Sequence, residues 1–193
     1  EVRLKAEHLD SLVSRALAGL PHAMKVYEPD GTYPEGPSYW NYGTTLNVVL
    51  IATLESALGT DFALAQRPGF LKSGEFPLQV TGATGKYFNF SDCGTGTPFS
   101  PAMIWFASRT RRSELLWFED GLLQREASEI IASKGQSQGD RFFPLVLVWG
   151  DPALKRTEPT VRNWFGRGPN PLAVFRTSWT DPNAIYLAVK AGS

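Results

Sequence analysis

Residues 30–43 read Asp-Gly-Thr-Tyr-Pro-Glu-Gly-Pro-Ser-Tyr-Trp-Asn-Tyr-Gly and gather three Tyr, one Trp, one Glu and one Asn. Flat rings stack on the apolar faces of a pyranose, while hydroxyl, amide and carboxyl tips reach its hydroxyls. A Tyr hydroxyl, with an ordinary pKa of about 10, is protonated at neutral pH and can donate to a leaving oxygen. To act as a base it needs nearby positive charge or hydrogen bonds that lower that value. The same composition also fits an ordinary buried aromatic loop. Residues alone therefore leave two readings open, a sugar grip and a packed turn.

Other chemistry-bearing residues are sparse. Cys93 is the single cysteine, which excludes an internal disulfide and a Cys-rich zinc site. It reads as a small, partly buried residue. His8 and His22 have no local ligand spacing and read as helix-surface residues. The 193 residues, 42% apolar and 20% charged, imply a packed core in one domain or one and a fraction. Nineteen basic residues balance nineteen acidic ones, so nothing points to a general nucleic-acid binder. The longest nearly unbroken apolar run, 142–149, is interrupted by Pro144 and is far too short to span a bilayer. No signal peptide is visible after Glu1, which is silent on export.

The elements that must position these groups follow from periodicity and punctuation. Pro34, Gly36 and Pro37 forbid a long regular element before Ser38. In residues 2–20, Leu9, Leu12, Val13, Ala16, Leu17 and Leu20 fall on one helical face, with Gly19 and Pro21 at its end. Pro21 can open a second short helix through Val26. A long helix is expected over 39–58, with Leu46, Val49, Leu50, Thr53, Leu54, Ala57 and Leu58 on one face and Val48 and Ile51 on a second. Gly59 stops it. A short helix is expected near Arg67 and Pro68, and an ordered loop over 81–98 holds Tyr87, Phe88 and Phe90. Ser100-Pro101 opens a helix to about Ser108, and a long helix is expected from about Ser113 to Lys134. Residues 135–139 read as a polar linker, and 142–149 as a short helix whose Val content also allows a strand. Residues 2–149 should thus be mainly helical, in antiparallel pairs.

The last forty residues change character. Residues 151–171, rich in Pro, Gly and Arg, read as a linker, and 172–178 and 184–189 read as two strands. An isolated hairpin is marginal in water. The ending is therefore expected to be a cut at the start of a second, β-rich domain, with strands that lack a full sheet of their own.

Three stretches taken together resemble the heparinase II/III-like polysaccharide lyases. They are the 30–43 segment, then Gly85-Lys-Tyr-Phe-Asn-Phe-Ser-Asp92, then Ala173-Val-Phe-Arg-Thr-Ser-Trp179 with Asn183-Ala-Ile-Tyr-Leu-Ala-Val-Lys-Ala-Gly192. Their order and approximate spacing match across nearly the whole chain. The first block is the most specific and the third the least. The resemblance implies an all-α architecture in the main: a partial (α/α) toroid of paired helices over 1–150, a linker over 151–171, and the first strands of a truncated β-sandwich over 172–193. It implies a bacterial periplasmic or secreted enzyme that cleaves an acidic, uronic-acid-containing polysaccharide by β-elimination. A base removes the C5 proton, the carboxylate charge is neutralised, and an acid protonates the leaving oxygen.

By the same resemblance Tyr39 is the catalytic acid, base or both, and an alignment slip of three residues would select Tyr42 instead. Glu35 would orient that Tyr or a sugar hydroxyl, with a solvated loop carboxylate as its plain alternative. Asn89 and Asp92 fall near the cleft. Asn89-Phe90-Ser91 also matches a glycosylation sequon, discounted for a bacterial protein. Trp40 and Trp105 are candidate stacking platforms or core residues. The family's upstream Asn or His and its sandwich His have no counterpart here, and its metal positions lie in the missing sandwich. No cofactor is expected in this fragment, which should be catalytically incomplete alone. Two rival readings stay open. A toroid glycoside hydrolase would pair Glu35 with Asp92 across a cleft. A non-catalytic glycan-binding helical domain would show stacked aromatics with no titratable group among them. Oligomeric state and the particular polysaccharide, heparan, alginate or another uronide, are not readable from the residues.

Overall fold

The computed structural model describes residues 6–134 and 140–192. The chain is about 48% helical, with one small antiparallel sheet. Helix α1 spans Ala6–Ala23; residues 2–5 of the expected helix lie outside the described residues. It runs through Pro21, where a stop was expected, and ends two residues later at Ala23; the proline has no N–H to give the ladder. Arg67 Nη2 donates to Pro21 O at 3.4 Å. The expected helix through Val26 is instead a tight 3-10 turn, Met24–Tyr27, which plants Met24 and Tyr27 in the core.

Helix α2, Gly36–Leu58, ends on Gly59 with φ +72°. Its deeply buried stripe is Pro37, Trp40, Thr44, Val48, Ile51 and Leu54, at spacings of three and four. The expected main face is thereby corrected: Leu46 and Leu58 are exposed, and the second face is the one that enters the core. The first two turns set this phase. Trp40 is fully buried against Phe106, with ring centroids 5.9 Å apart, and the Thr44 hydroxyl meets the Tyr27 hydroxyl at 2.9 Å.

The short helix expected near Arg67 begins later, as a 3-10 turn Leu71–Gly74 that runs into α3, Glu75–Gln79. The 81–98 loop is tied down by the Thr81–Tyr87 bridge and by burial of Tyr87. Helix α4, Pro101–Thr110, is the central helix of the core, with every residue from Pro101 to Ala107 buried. The long helix expected from Ser113 is interrupted. A 3-10 turn, Ser113–Leu116, directs Leu115 and Leu116 inward before α5, Glu119–Ala132, begins. The expected 135–139 linker lies outside the described residues. Residues 143–149 are helical, as a 3-10 turn Phe143–Leu145 and then α6, Val146–Trp149.

The expected linker over 151–171 is corrected: it contains strand β1, Asn163–Gly166. Strands β2, Leu172–Arg176, and β3, Tyr186–Lys190, complete a sheet of order β1-β2-β3, with Trp164 opposite Val174 and Val174 opposite Ala188. The strand alternation puts Trp164, Leu172, Val174 and Arg176 inward and leaves Phe165, Phe175, Leu187 and Val189 outside. The sheet folds back on the helices. Trp164 Nε1 donates to Glu75 Oε2 at 3.1 Å, and Arg176 Nη2 donates to Gln79 O at 2.7 Å and Thr81 O at 3.2 Å. The Tyr186 hydroxyl also donates to Gln79 O, at 3.1 Å.

Candidate functional site

Three stretches far apart in sequence meet at the start of α2. The turn between β1 and β2 clamps the loop before the helix. Arg167 reaches both oxygens of Asp30, Nε at 2.7 Å and Nη2 at 3.2 Å, and this hydrogen-bonded guanidinium holds the Asp30 carboxyl below the usual carboxylate range. The Thr32 hydroxyl donates to Arg167 O at 2.8 Å, and Asn170 Nδ2 donates to Pro34 O at 2.9 Å. From the other side the 81–98 loop packs on the first turn. Gly36 has φ +85°, and a Cβ there would lie 2.8 Å from Phe90 O and 2.9 Å from Cys93 Cβ. Only glycine fits both that backbone and that approach. Cys93, buried as a small core residue, sets its Sγ 2.9 Å from Ser38 Oγ.

The candidate residues separate into exposed and buried groups. Tyr39 is 42% exposed and Tyr42 60%, on the first two turns of α2 and three residues apart, hence on adjoining parts of one face. Glu35 is exposed just before the helix, and its side chain makes no hydrogen bond among the described residues. It adds to the burial that raises the Tyr33 hydroxyl above its ordinary pKa. Asn89 and Asp92 are exposed on the neighbouring turn, where Asn89 Nδ2 donates to Cys93 O at 3.1 Å. Glu35 and Asp92 thus each stand one residue from the Gly36–Cys93 contact. For the two tryptophans the core alternative holds and the stacking role is corrected. Trp40 is fully buried and Trp105 is 6% exposed, each packed on Phe106, so neither offers a ring face for a sugar. His8 and His22 are exposed on α1, as expected.

A polar cleft of about 160 Å³ opens beside Tyr42. One wall is a stripe on α2, Ser38, Asn41, Tyr42 and Thr45, spaced as successive turns of a helix; the other is Asp140, Arg141 and Phe142, with Pro101 at the base. Tyr42 lines this cleft; Tyr39 does not. Ser100, at the cap of α4, donates from Oγ to Asn41 Oδ1 at 2.6 Å. Behind it, Glu119 Oε2 accepts the Ser100 N–H at 3.0 Å, and burial pushes the Glu119 carboxyl up to about 8. Ser38, Asn41, Thr45, Ser100, Glu119 and Arg141 are not among the candidate site residues named from sequence, where Ser100 enters only as a helix start. The α2 stripe was findable from its spacing, whereas Arg141 arrives from a hundred residues away. A larger groove of about 320 Å³ lies between α4 and α6. Its walls are mostly aliphatic; of its polar groups, Asp151 is paired with Arg111, Asp120 lies 3.9 Å from Arg156, and the Ser108 hydroxyl donates to Trp149 O.

Among the described residues no group of three or more His, Cys, Asp and Glu side chains could hold a metal ion, and no helix is long and apolar enough to cross a membrane. No protein-family model matches the chain, and no curated protein matches it either. The family resemblance therefore rests on the quoted residues alone.

Proposed function

We propose that this chain is the part of a heparinase II/III-like polysaccharide lyase that carries the later helices of an (α/α) toroid and the first strands of a β-sandwich. On this reading the parent enzyme is periplasmic or secreted and cleaves uronic-acid-containing polysaccharide by β-elimination, with Tyr39 or Tyr42 moving the proton. The observation that carries the reading is the packing of the second resembling stretch, through Phe90, on the first turn of α2, where Tyr39 and Tyr42 stand exposed beside Glu35. The third stretch docks on the end of α3 instead, through Arg176 and Tyr186. A fold-level resemblance alone would not be enough, because function belongs to the site. The outward sheet face of Phe165, Phe175, Leu187 and Val189 is of the kind that sheet-on-sheet packing covers, which suits a sandwich.

The test is ultraviolet absorbance of unsaturated uronate products, followed with the longer protein this reading requires on a panel of acidic polysaccharides. Tyr39→Phe keeps the ring and removes the proton donor. It is expected to lower turnover about 10²-fold or more, with stability little changed, and Tyr42→Phe to lower it less. A loss confined to Tyr42→Phe would move the assignment by three residues, to the Tyr that lines the cleft. Full turnover in both variants, or chain cleavage without unsaturated product, would reject the elimination reading at this helix.

A further inference from the structure

The cleft beside Tyr42 has a built-in direction. Asn41 Oδ1 faces two hydroxyls, Ser100 Oγ at 2.6 Å and Thr45 Oγ1 at 3.4 Å. A separation of 2.6 Å belongs to O–H···O pairing and is shorter than N–H···O contacts usually run. The carbonyl end of the amide is thus the end turned to Ser100. The Nδ2 end has no hydrogen-bond partner among the described residues, and Asn41 is only half-buried. Ser100 is itself fixed from the core by Glu119, both residues being buried. A chain of contacts, Glu119 to Ser100 to Asn41, therefore leaves an amide donor available on the cleft wall.

The facing wall supplies complementary groups. Arg141 lies over the Phe142 ring at 4.7 Å and has no carboxylate partner among the described residues. Asp140 Oδ1 accepts the Phe142 N–H at 2.7 Å, and the Asp140 N–H donates to Glu126 Oε1 at 3.1 Å, which leaves Asp140 Oδ2 as an acceptor. The Tyr42 hydroxyl adds a donor or acceptor at the rim. Donors for one anion beside an acceptor for a hydroxyl describe a sugar acid. A phosphate monoester dianion would meet the Asp140 carboxylate with no phosphate hydrogen to offer it. The volume of about 160 Å³ lies below the ~300–1,000 Å³ of pockets that enclose drug-sized ligands, so it suits one ring and not a chain segment.

We propose that this cleft is a subsite for a single uronate ring, with Asn41 Nδ2 and Arg141 receiving the carboxylate and Asp140 accepting from a ring hydroxyl. The choice of ligand rests on the lyase reading above; the binding does not depend on proton transfer at either tyrosine.

The probe is D-glucuronate, titrated into the chain while the Asn41 side-chain amide and Arg141 Nε signals are followed by two-dimensional NMR. Glucose, the ring without the charge, and acetate, the charge without the ring, are the controls. Saturable shifts of both signals are expected with glucuronate, at concentrations about tenfold or more below those needed for either control. Asn41→Asp keeps the acceptor for Ser100 and replaces the donor by a negative charge. It should weaken glucuronate binding about tenfold or more while the core signals persist. Should that variant fail to fold, Arg141→Gln, on the surface, carries the same expectation. Shifts as strong with glucose or acetate, no saturable shift at all, or unweakened binding in the folded variants would overturn the proposal. Uronate binding that the variants abolish, in an enzyme that yields no unsaturated product, would sink the lyase reading and leave the subsite standing. Elimination that survives both variants with unchanged KM would do the reverse.

Discussion

Glu119 carries a carboxyl into the core with no cation beside it among the described residues. Burial raises its pKa from the ordinary 4.5 to about 8, outweighing the Ser100 N–H, which acts the other way, and Asp120 adds to the rise. Between those two values the unfolded chain releases this proton and the folded chain keeps it, so the group makes stability fall as pH rises through the window. Its contribution is intact below about pH 4.5 and is lost in full above about pH 8. Glu119→Gln retains an acceptor for Ser100 and has no proton to lose. It is expected to flatten the decline and to melt higher than the parent near pH 8, as thermal unfolding of both proteins across the window would read. Parallel pH profiles would reject burial of this carboxyl as the source. Residue type alone indicated which groups could do chemistry at the start of α2, and exposure of Tyr39, Tyr42, Glu35, Asn89 and Asp92 is compatible with it. That Trp40 and Trp105 carry two readings in the sequence has one cause. A tryptophan beside polar residues reads the same whether its ring faces solvent or core, and only the tertiary partner, here Phe106, decides.

At the scale of elements, punctuation was more legible than phase. Gly59 and the Ser100-Pro101 pair mark helix ends where the structure has them. Which face of α2 turns inward was not readable, since apolar residues surround most of its girth and the choice falls to Trp40 and Thr44. Glycines inside helices allow this to be tested quantitatively. At Gly19 in α1 and Gly121 in α5 an added Cβ meets nothing within 4 Å. Gly19→Ala and Gly121→Ala should each raise stability by about 0.5–1 kcal/mol, seen as a higher denaturant midpoint at constant slope. Gly36→Ala should do the opposite. Its positive φ and the rigid Phe90 carbonyl predict a loss on the order of 1–3 kcal/mol, and the displaced 89–93 turn should disturb the Tyr39 and Tyr42 environment as well. A Gly36→Ala protein as stable as the parent would show that the two segments are not held in contact.

At the scale of the molecule, the sheet and the helices are joined by Arg176. Its guanidinium is buried, stacks 3.5 Å from the Trp179 ring centre, and spends its hydrogen bonds on carbonyls at the end of α3, a helix terminus that favours positive charge. Burial lowers its pKa to about 10, and Tyr186 opposes that shift. Arg176→Met keeps the stem and orphans Thr81 O, while Tyr186 still serves Gln79 O. A cost of about 1–3 kcal/mol is expected. Hydrogen exchange should show the β2 and β3 amides losing protection before those of α4. The hairpin of β2 and β3 was visible in the sequence because its apolar residues run between clear turn signals. Strand β1 was not: it is four residues in a Pro-, Gly- and Arg-rich stretch, and its pairing is decided by Trp164 finding the core. The burial of Cys93 has a practical side. Because it is the one thiol in the chain and sits where the 81–98 loop closes on α2, the molecule carries its own clock. The rate at which a thiol reagent labels it under native conditions counts how often that seam comes apart, with no engineered probe.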